Sequence, residues 1–598
     1  VSPIPGILSW LGRFSSRTRC LRFIRRRCRS SYEDRFSRRM SMAGLKPHHR
    51  IAIAVSGGPD SVALCILTAG WKCGNHDAST SLRSNPVDGL LAVVVDHGLR
   101  NESAEEAHIV SGRITDMGIK CEVARCQWSE GRPKVGHLQE AARNKRYDIL
   151  QSICLREKFG VLLVAHHSDD QAELFILRLS RNSGVLGLAG MPFVSEIFPE
   201  CPDLCEEGSK THGILLVRPL LDFTKEDLYD ICRIFGRQWV EDPTNVSPLF
   251  ARNRIRMSLK NLSSADKAEL SKVISECRKI RLDVEKRCQA LLSDTVEIVH
   301  HGYAVVDLQL LLTMEVDDIC LARFIVLLLQ FISQRHRPIR GNALKVLLSY
   351  FRTTPCKTCL AAAGCYLRPA PGSKGSKLLV CCCVDACLPP TTKPFSPRNG
   401  LNSEESEQII AESNGNLDRS TPDDTRLSFE FSESGESVLR KSLMLGILSA
   451  STHEAVISIQ KEETESFKSR NGETGEDNKR KHLDPEKKPL LLRGGEAGLY
   501  WMNRFAVEWK CSKKYRCCDC LVSNDVVDVI LREMRDVDWI YVYDLAEKRE
   551  KKNGIAEAEA AVISAERAAV QRLKSIPVCV RRCMPVLVDE DGVLLSIP

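Results

Sequence analysis

The chain has 598 residues, 43% of them hydrophobic and 27% charged, enough for two or three globular domains with ordinary cores. No apolar run approaches the ~20 residues a membrane-spanning helix needs, and the 26 cysteines lack the regular spacing of a small secreted scaffold, so most are expected to be reduced and buried. The net charge of +8 is local: thirteen Lys or Arg against Glu33 and Asp34 give the first fifty residues +11, the rest is about −3, and any nucleic-acid surface must be a patch.

The basic start, Arg13 to Arg50, mixes arginines with serines and short apolar stretches such as Leu21 to Ile24. That composition predicts an organelle transit peptide over residues 1–47, with a basic RNA-holding arm as the alternative. The first strand is expected at Ile51–Val55. It runs through Ser56-Gly57-Gly58-Pro59-Asp60-Ser61 into a helix that begins with Val62 to Leu67. Two glycines let the backbone approach a phosphate, Pro59 suits a first helical turn, and the helix N-terminus offers unpaired N–H groups to an anion. The pattern is neither a GxxxxGK[ST] loop nor a GxGxxG fingerprint.

Further strands are expected at Leu90–Val95, Cys121–Ala124 and Val161–Ala165, separated by helix-length segments and by insertions at Lys72–Gly89 and Ser195–Gly213. Near-continuous apolar strands alternating with helices predict an α/β domain over residues 48–250, a doubly wound parallel sheet covered on both faces. Ligands bind beyond the carboxyl ends of such strands. Those ends carry Ser56–Ser61, Asp96-His97-Gly98-Leu99-Arg100, and His166-His167-Ser168-Asp169-Asp170-Gln171. Ser103 and Glu106 are expected to form a capping box for the helix after Arg100. Asp60, Asp169 and Asp170 are the acids available for Mg²⁺, which takes oxygen ligands. The bland alternative makes Asp169 a plain N-cap and His166 or His167 a packed histidine.

Residues 251–388 read as a helical region with a short strand hairpin. Its start is basic: Arg252, Arg254, Arg256 and Lys260 lead into a cation-rich helix from Ala265 to Arg287, suited to the phosphates of a tRNA arm or to a solvated face. Cys356, Cys359, Cys365, Cys381–Cys383 and the later Cys517-Cys518-Asp519-Cys520 lack a properly spaced pair of CxxC knuckles, and the strand-like stretches Thr353–Leu367 and Leu378–Val384 favour packing over zinc. Residues 389–489, polar and poor in aromatics, predict a disordered linker, with Leu443–Leu448 as a short docking helix. A small α+β region is expected over 490–598, with strands in Leu499–Trp509 and in Pro585–Ile597 around an Asp591-Gly592 turn.

The pattern SGGxDS resembles the pyrophosphate (PP) loop of ATP pyrophosphatases. VDHGLRNES from Val95, AHHSDDQAELFILRLSRNSGVLGLAGM from Ala165, RPLLDFTKEDL from Arg218, WVEDPTN from Trp239 and RNRIR from Arg252 resemble, in order, the motifs of tRNA(Ile)-lysidine synthases, and MPVLVDEDGVLLSIP is similar to that family's tail. The resemblance implies a ligase that uses ATP and Mg²⁺ to join free lysine to C2 of the wobble cytidine in a CAU-anticodon isoleucine tRNA through an adenylated base. It implies phosphate binding by Ser56, Gly57, Gly58, Pro59, Asp60 and Ser61 with Arg143 nearby, catalysis by Asp60, His166, Asp169 and Asp170, Mg²⁺ on Asp60, Asp169 and Asp170, and RNA contacts from Arg252, Arg254 and Arg256. With the basic start, the expected location is an organelle, chloroplast ahead of mitochondrion. A PP-loop tRNA thiolase and a non-catalytic tRNA-binding relative are the alternatives; no CxxC pairing among Cys65, Cys121, Cys126 and Cys154 supports the first, and the acids are retained against the second.

Overall fold

The computed structural model describes residues 29–74, 87–100, 102–128, 138–197, 214–241, 247, 250–299, 301–334, 339, 341–383, 392–394, 434–473, 490–492, 499–501, 505–507, 529–550, 568, 570–589 and 592–597. Residues 1–28, Pro243–Asn245 and Cys517–Cys520 lie outside them, as do most of the two insertions. The chain forms two compact units. One comprises Val1–Glu200, Ser209–Arg281 and Gly400–Gly475; the other comprises Cys201–Gly208, Leu282–Asn399 and Glu476–Pro598.

The first unit is built on a six-stranded sheet of β1 (Ile51–Val55), β2 (Leu90–Asp96), β3 (Lys120–Arg125), β4 (Val161–Leu163), β5 (Val194–Ile197) and β6 (Ile214–Val217), in the order β3-β2-β1-β4-β6-β5. All neighbours are parallel except β5, which runs antiparallel to β6. Alternation in β1 sends Ile51, Ile53 and Val55 to one apolar cluster and Ala52 to another across the sheet, as a doubly covered strand requires. The chain steps from β1 out to β3, then returns to place β4 on the other side of β1. The crevice beyond the carboxyl ends of β1 and β4 is therefore the switch point at which such sheets bind ligands.

Helices α2 (Pro59–Lys72), α3 (Ser103–Thr115), α4 (Leu138–Arg156), α5 (Ser168–Leu179), α6 (Val185–Leu188), α7 (Lys225–Ile234), α8 (Ala251–Leu259) and the start of α9 (Ser264–Thr295) complete this part of the unit. The expected capping box at Ser103 and Glu106 is absent. Ser103 Oγ donates to Arg100 O, and Glu106 pairs with Arg100 at 2.8 Å.

Two expected boundaries move. Residues 29–42 form a helix, α1, in the segment assigned to transit. Phe36, Met40, Ala43 and Leu45 are buried in the same cluster as Ile51 and Leu64. Arg39, 5% exposed, pairs with Asp222 at 3.0 Å and covers the Phe193 ring at 4.0 Å, while Tyr32 and Arg35 hold Asp227. A cleaved leader cannot supply core residues, so the folded domain starts near residue 28 instead of 48.

The second correction concerns the segment 389–489. It contains β12 (Thr392–Pro394), α13 (Gly435–Met444) and α14 (Ala450–Glu473). Val438, Leu439, Val456 and Ile459 are buried, so a sparse apolar stripe within a polar composition suffices to seat both helices. Leu443–Leu448 is the end of α13 and the turn that follows it.

The second unit carries an antiparallel sheet of β7 (Val296–Val299), β8 (Tyr303–Asp307), β9 (Leu360–Ala362), β10 (Cys365–Pro369) and β11 (Lys377–Cys382), in the order β7-β8-β11-β10-β9, with α10 (Leu308–Thr313), α11 (Asp318–Ser333) and α12 (Asn342–Phe351). Its cysteines pack and donate: Cys365 Sγ to Leu329 O at 3.4 Å and Cys583 Sγ to Cys382 O at 3.0 Å. Strands β13 (Leu499–Trp501) and β14 (Phe505–Val507) form a hairpin. Strands β15 (Pro585–Val588) and β16 (Leu594–Ser596) form another, with Gly592 at φ +82° in the turn between them, a left-handed conformation that favours glycine.

Candidate active site

The turn after β1 is fixed by its own polar groups. Gly57 sits at φ +82°, and a Cβ there would lie 2.4 Å from Val110 Cγ2, so a side chain is excluded on both conformational and steric grounds. Ser61 Oγ accepts from Ser56 N at 3.3 Å and donates to Gly58 O at 3.0 Å, while Gly57 O accepts from Val240 N at 2.9 Å. Pro59 opens α2, which aims the positive end of its dipole at the space above the turn. Ser56 through Ser61 thus form a fixed turn, the cradle, at a helix N-terminus of the kind that holds anions.

Asp60 lies in the first turn of α2, and the turn after β4 brings its partners. His167 is the N-cap of α5, and Asp170, three residues on, accepts from His167 N at 3.0 Å. Asp170 therefore does the capping, and Asp169 is not the N-cap. Buried His167 reaches three carboxylates: Asp60 at 3.8 Å, Asp169 at 3.6 Å and Asp170 at 3.5 Å. Burial alone would lower its pKa, but Asp170, Asp169 and Asp60 outweigh burial and raise it above the ordinary imidazole value. Asp169 is held well below the usual carboxylate range: burial opposes ionisation, and the nearby His167 imidazole with the bonds from the Lys225 N–H and Lys267 overcomes it. Asp170 is lowered in the same way by His167 and His166, against its burial.

Cations from elsewhere in the unit close the cluster. Lys225, first residue of α7, donates its N–H to Asp169 Oδ2 at 2.8 Å and its ammonium to Asp60 Oδ1 at 2.6 Å. Lys267 Nζ meets Asp169 Oδ1 at 2.9 Å. Arg256 grips Glu173 with two bonds, 2.6 and 3.1 Å, and lies 3.9 Å from Asp170. Glu173 is only 2% exposed, and burial raises its pKa despite that partner.

His166 faces a different environment. Burial pushes its imidazole down to about 4; Asp170 opposes this, and the field of Arg218, Arg143 and Arg252 adds to it. Its buried Nδ1 has no hydrogen-bond partner among the described residues. Arg143 and Arg252 are exposed, whereas Arg218 is buried, donates to Pro192 O and Ser195 Oγ, and has its pKa pushed down to about 10 by burial. At the end of β2, His97 Nε2 accepts from Arg146 at 2.8 to 3.1 Å, and burial followed by Arg146 holds its pKa near 4. The crevice thus has an acidic centre bearing His167 and a cationic rim around a neutral His166.

The structure brings Asp60, Asp169 and Asp170 together beside the cradle and sets His166 and Arg143 on the rim. Of the three arginines expected at RNA, only Arg252 is free of an inward ion pair among the described residues; Arg254 pairs with Glu463 and Arg256 with Glu173. His167, Lys225, Lys267 and Glu173 were given no site role by sequence. His167 was read only as a member of its strand-end motif or a packed histidine and Lys267 only as one cation of the Ala265–Arg287 helix; Lys225 lies within the RPLLDFTKEDL motif, and Glu173 is an acid one helical turn from Asp169 and Asp170.

Mg²⁺ is commonly held by one or two carboxylates plus phosphate oxygens, without a full protein cage. Among the described residues no group of three His, Cys, Asp or Glu is placed to hold a metal alone. Asp60 with Asp169 or Asp170 satisfies the lesser requirement: Asp60 and Asp169 each accept from a lysine ammonium, and Asp170 lies 3.5 Å from His167.

Residues 28–263 match the family model of the PP-loop domain. Sheet order, cradle and match together define the class: this part of the chain is a PP-loop α/β domain. Within that class, the tRNA(Ile)-lysidine synthase of Bradyrhizobium sp. (strain BTAi1 / ATCC BAA-1182) is 36% identical over 237 residues, 39% of this chain and 59% of that protein. The tRNA(Ile)-lysidine synthase of Wolbachia pipientis wMel is 28% identical over 328 residues, 54% of this chain and 68% of that protein. The resemblance carried by the motifs is borne out by these relatives, although the chain spans only 59% of the Bradyrhizobium protein's length and 50% of that of the tRNA(Ile)-lysidine synthase of Ruegeria pomeroyi (strain ATCC 700808 / DSM 15171 / DSS-3). The solved U34-tRNA thiolase NcsA of Methanococcus maripaludis, with its [4Fe-4S] cluster, aligns at 15% identity and a TM-score of 0.32 over 42% of this chain and 78% of that one, too weak a likeness to carry an argument.

Proposed function

We propose that the protein is a tRNA(Ile)-lysidine synthase, which uses ATP to join free lysine to C2 of the wobble cytidine of a CAU-anticodon isoleucine tRNA. The observation that carries this reading is the convergence of Asp60, Asp169 and Asp170 on buried His167 beside the Ser56–Ser61 cradle. The cradle and the N-terminus of α2 hold the ATP phosphates, and Arg143 and Arg252 add positive potential at the rim. Mg²⁺, when bound to Asp60 and Asp169 or Asp170, supplies charge neutralisation for the phosphates. Cytidine O2 attacks the α-phosphate and releases pyrophosphate. Lysine's ε-amine then attacks C2, loses its proton and expels AMP.

The residues divide the work. The carboxylate cluster binds an ammonium group readily, since Lys225 and Lys267 already satisfy it in the chain alone. A carboxylate freed of such a partner can take the amine's proton as nucleophilic attack proceeds. Neutral His166 sits where it can bond to a neutral base or a phosphate without adding charge. Holding ATP, base and amine in line supplies most of the acceleration.

The direct test incubates the full chain with ATP, lysine and a CAU-anticodon isoleucine tRNA, followed by mass spectrometry of the nucleosides. Lysidine at the wobble position supports the proposal; unmodified cytidine with active ATP cleavage rejects it. We also propose that residues 1–28, with seven arginines and no acid, direct the protein to an organelle, chloroplast ahead of mitochondrion.

A further inference from the structure

Helices α13 and α14 come from the segment whose composition suggests a linker, yet they bond to the helices that carry the acidic centre. Gly435, at the start of α13, fits where a Cβ would lie 2.8 Å from Leu179 Cδ1 and 2.9 Å from Ser183 O, between the end of α5 and α6. At the start of α14, Ser449 donates to Glu269 and Thr452 Oγ1 to Asp266 Oδ1 at 2.8 Å, both in the opening turns of α9. Thr464 Oγ1 donates to Ser180 O at 3.2 Å, directly after α5. Thr452, Val456, Ile459 and Glu463 form a single buried stripe at helical spacing along α14.

Glu463 is the charged member of that stripe. Only 5% exposed, it receives two bonds from Arg254 of α8, at 2.9 and 3.1 Å. A carboxylate is costly to bury unless a fixed, bidentate cation offsets it, and such a pair fixes the register of two helices in a way apolar contacts do not. Each grip adjoins a residue that touches the site. Arg254 is two residues from Arg256, which holds Glu173; Asp266 immediately precedes Lys267, which holds Asp169.

We infer that residues 434–473 are a built-in brace that fixes α8 and the start of α9 against α5, with Glu463 as a positioning residue for the Asp169–Asp170 cluster. Arg254 is thereby a latch and not an RNA contact. The kinetic part of this inference rests on the proposed ligase reading; the structural part does not.

The test uses the full chain with Glu463→Gln, the exchange Glu463→Arg with Arg254→Glu, and Thr452→Val. Hydrogen exchange in residues 168–179 and 264–270 is expected to speed up ~10-fold or more in Glu463→Gln, less in Thr452→Val, and to return towards the parent rate in the exchange pair. In lysine-dependent AMP release, kcat should fall ~10- to 100-fold in Glu463→Gln with KM for tRNA within about twofold, and the exchange pair should regain most of it. Unchanged exchange in both segments in Glu463→Gln and Thr452→Val overturns the brace. Faster exchange with unchanged kcat also overturns it, leaving a passive cover. A rise in tRNA KM with constant kcat makes Arg254 an RNA contact after all. If the parent protein makes no lysidine, the ligase reading fails and the exchange rates alone decide the brace. If Glu463→Gln does not fold, Thr452→Val, which loses the hydroxyl's bonds to Asp266 and Ser449, decides by the same two measurements.

Discussion

Lys225 spans two acids that belong to different strand ends: its ammonium lies 2.6 Å from Asp60 Oδ1 and its backbone N–H donates to Asp169 Oδ2 over 2.8 Å. The start of α7 is thus tied to both the phosphate turn and the α5 turn. Its Thr224 cap is closed by Asp227, and Asp227 is in turn held by Tyr32 and Arg35 of α1. One chain of contacts therefore runs from the N-terminal helix to the acidic centre.

Asp60→Asn should abolish most ATP-dependent modification, by ~100-fold or more, since it removes charge from the point nearest the phosphate cradle. Binding of tRNA should stay within a few-fold, because Asp60 belongs to the turn proposed to hold ATP and not to the arginines proposed to meet RNA. AMP release and a filter-binding titration measure the two effects; retained turnover at saturating ATP counts against the role.

Glu173→Gln addresses the buried ion pair. The variant leaves Arg256 without its bidentate partner, and because Arg256 is partly exposed the loss should be about 1–3 kcal/mol instead of the larger cost of a fully buried orphan charge. Urea unfolding gives the value. A shift in midpoint of zero would mean that Arg256 finds Asp170, 3.9 Å away, at no cost.

The sheet was legible because its strands read as short apolar runs, and the turn after β1 because its glycines and Pro59 stand between an apolar run and a helical stretch. The place of Asp169 and Asp170 at a strand end was legible because they follow the apolar run Val161–Ala165. The brace was not: α14 spreads its apolar contacts over Val456 and Ile459 among polar residues, and its fixing contact is a glutamate whose partner lies 209 positions away. For the same reason the contact of Lys267 was invisible: it read as one cation of a basic helix, and only tertiary packing brings it to Asp169. The N-terminal helix was hidden by its arginines. Phe36, Met40 and Ala43 follow helical spacing, but Arg35, Arg38 and Arg39 between them gave the segment the composition of a leader.

The pH dependence follows from His97 and His166, whose folded-state pKa values lie near 4 against an ordinary value of 6.5. Both stay neutral when folded while the unfolded chain takes up protons, so their contribution is complete above about pH 6.5 and is lost as pH falls towards 4; His167, raised by its three carboxylates, contributes with the opposite sign and loses its share as pH rises through its folded value. Depressed carboxylates such as Asp169 and Asp170 add losses of the same sign at lower pH. His97→Gln, which keeps an acceptor for Arg146, should flatten the slope between pH 6.5 and 4 by one proton. Denaturant midpoints across that window check it, and an unchanged slope would show that His97 is charged in the folded state.

The N-terminal region separates two properties that its composition joins. A chain beginning at Ser41 loses Phe36, Met40, Arg39 and Tyr32, hence two large buried side chains and the contacts on Asp222 and Asp227; by the usual cost of emptying core sites it should lose about 5 kcal/mol or more, enough to prevent stable folding of a typical domain. A chain beginning at Arg29 keeps all of these and should retain full activity. A reporter fused to residues 1–28 should enter an organelle if these seven arginines form a leader. If they instead hold RNA, the Arg29 start should weaken tRNA binding and reduce its salt dependence, because fewer counterions are released. Thermal melting of the two truncations, the salt slope of the longer one and the position of the reporter give distinct outcomes. A stable, active chain beginning at Ser41 would refute the place of α1 in the core, and a cytosolic reporter with a lowered salt slope would refute the leader.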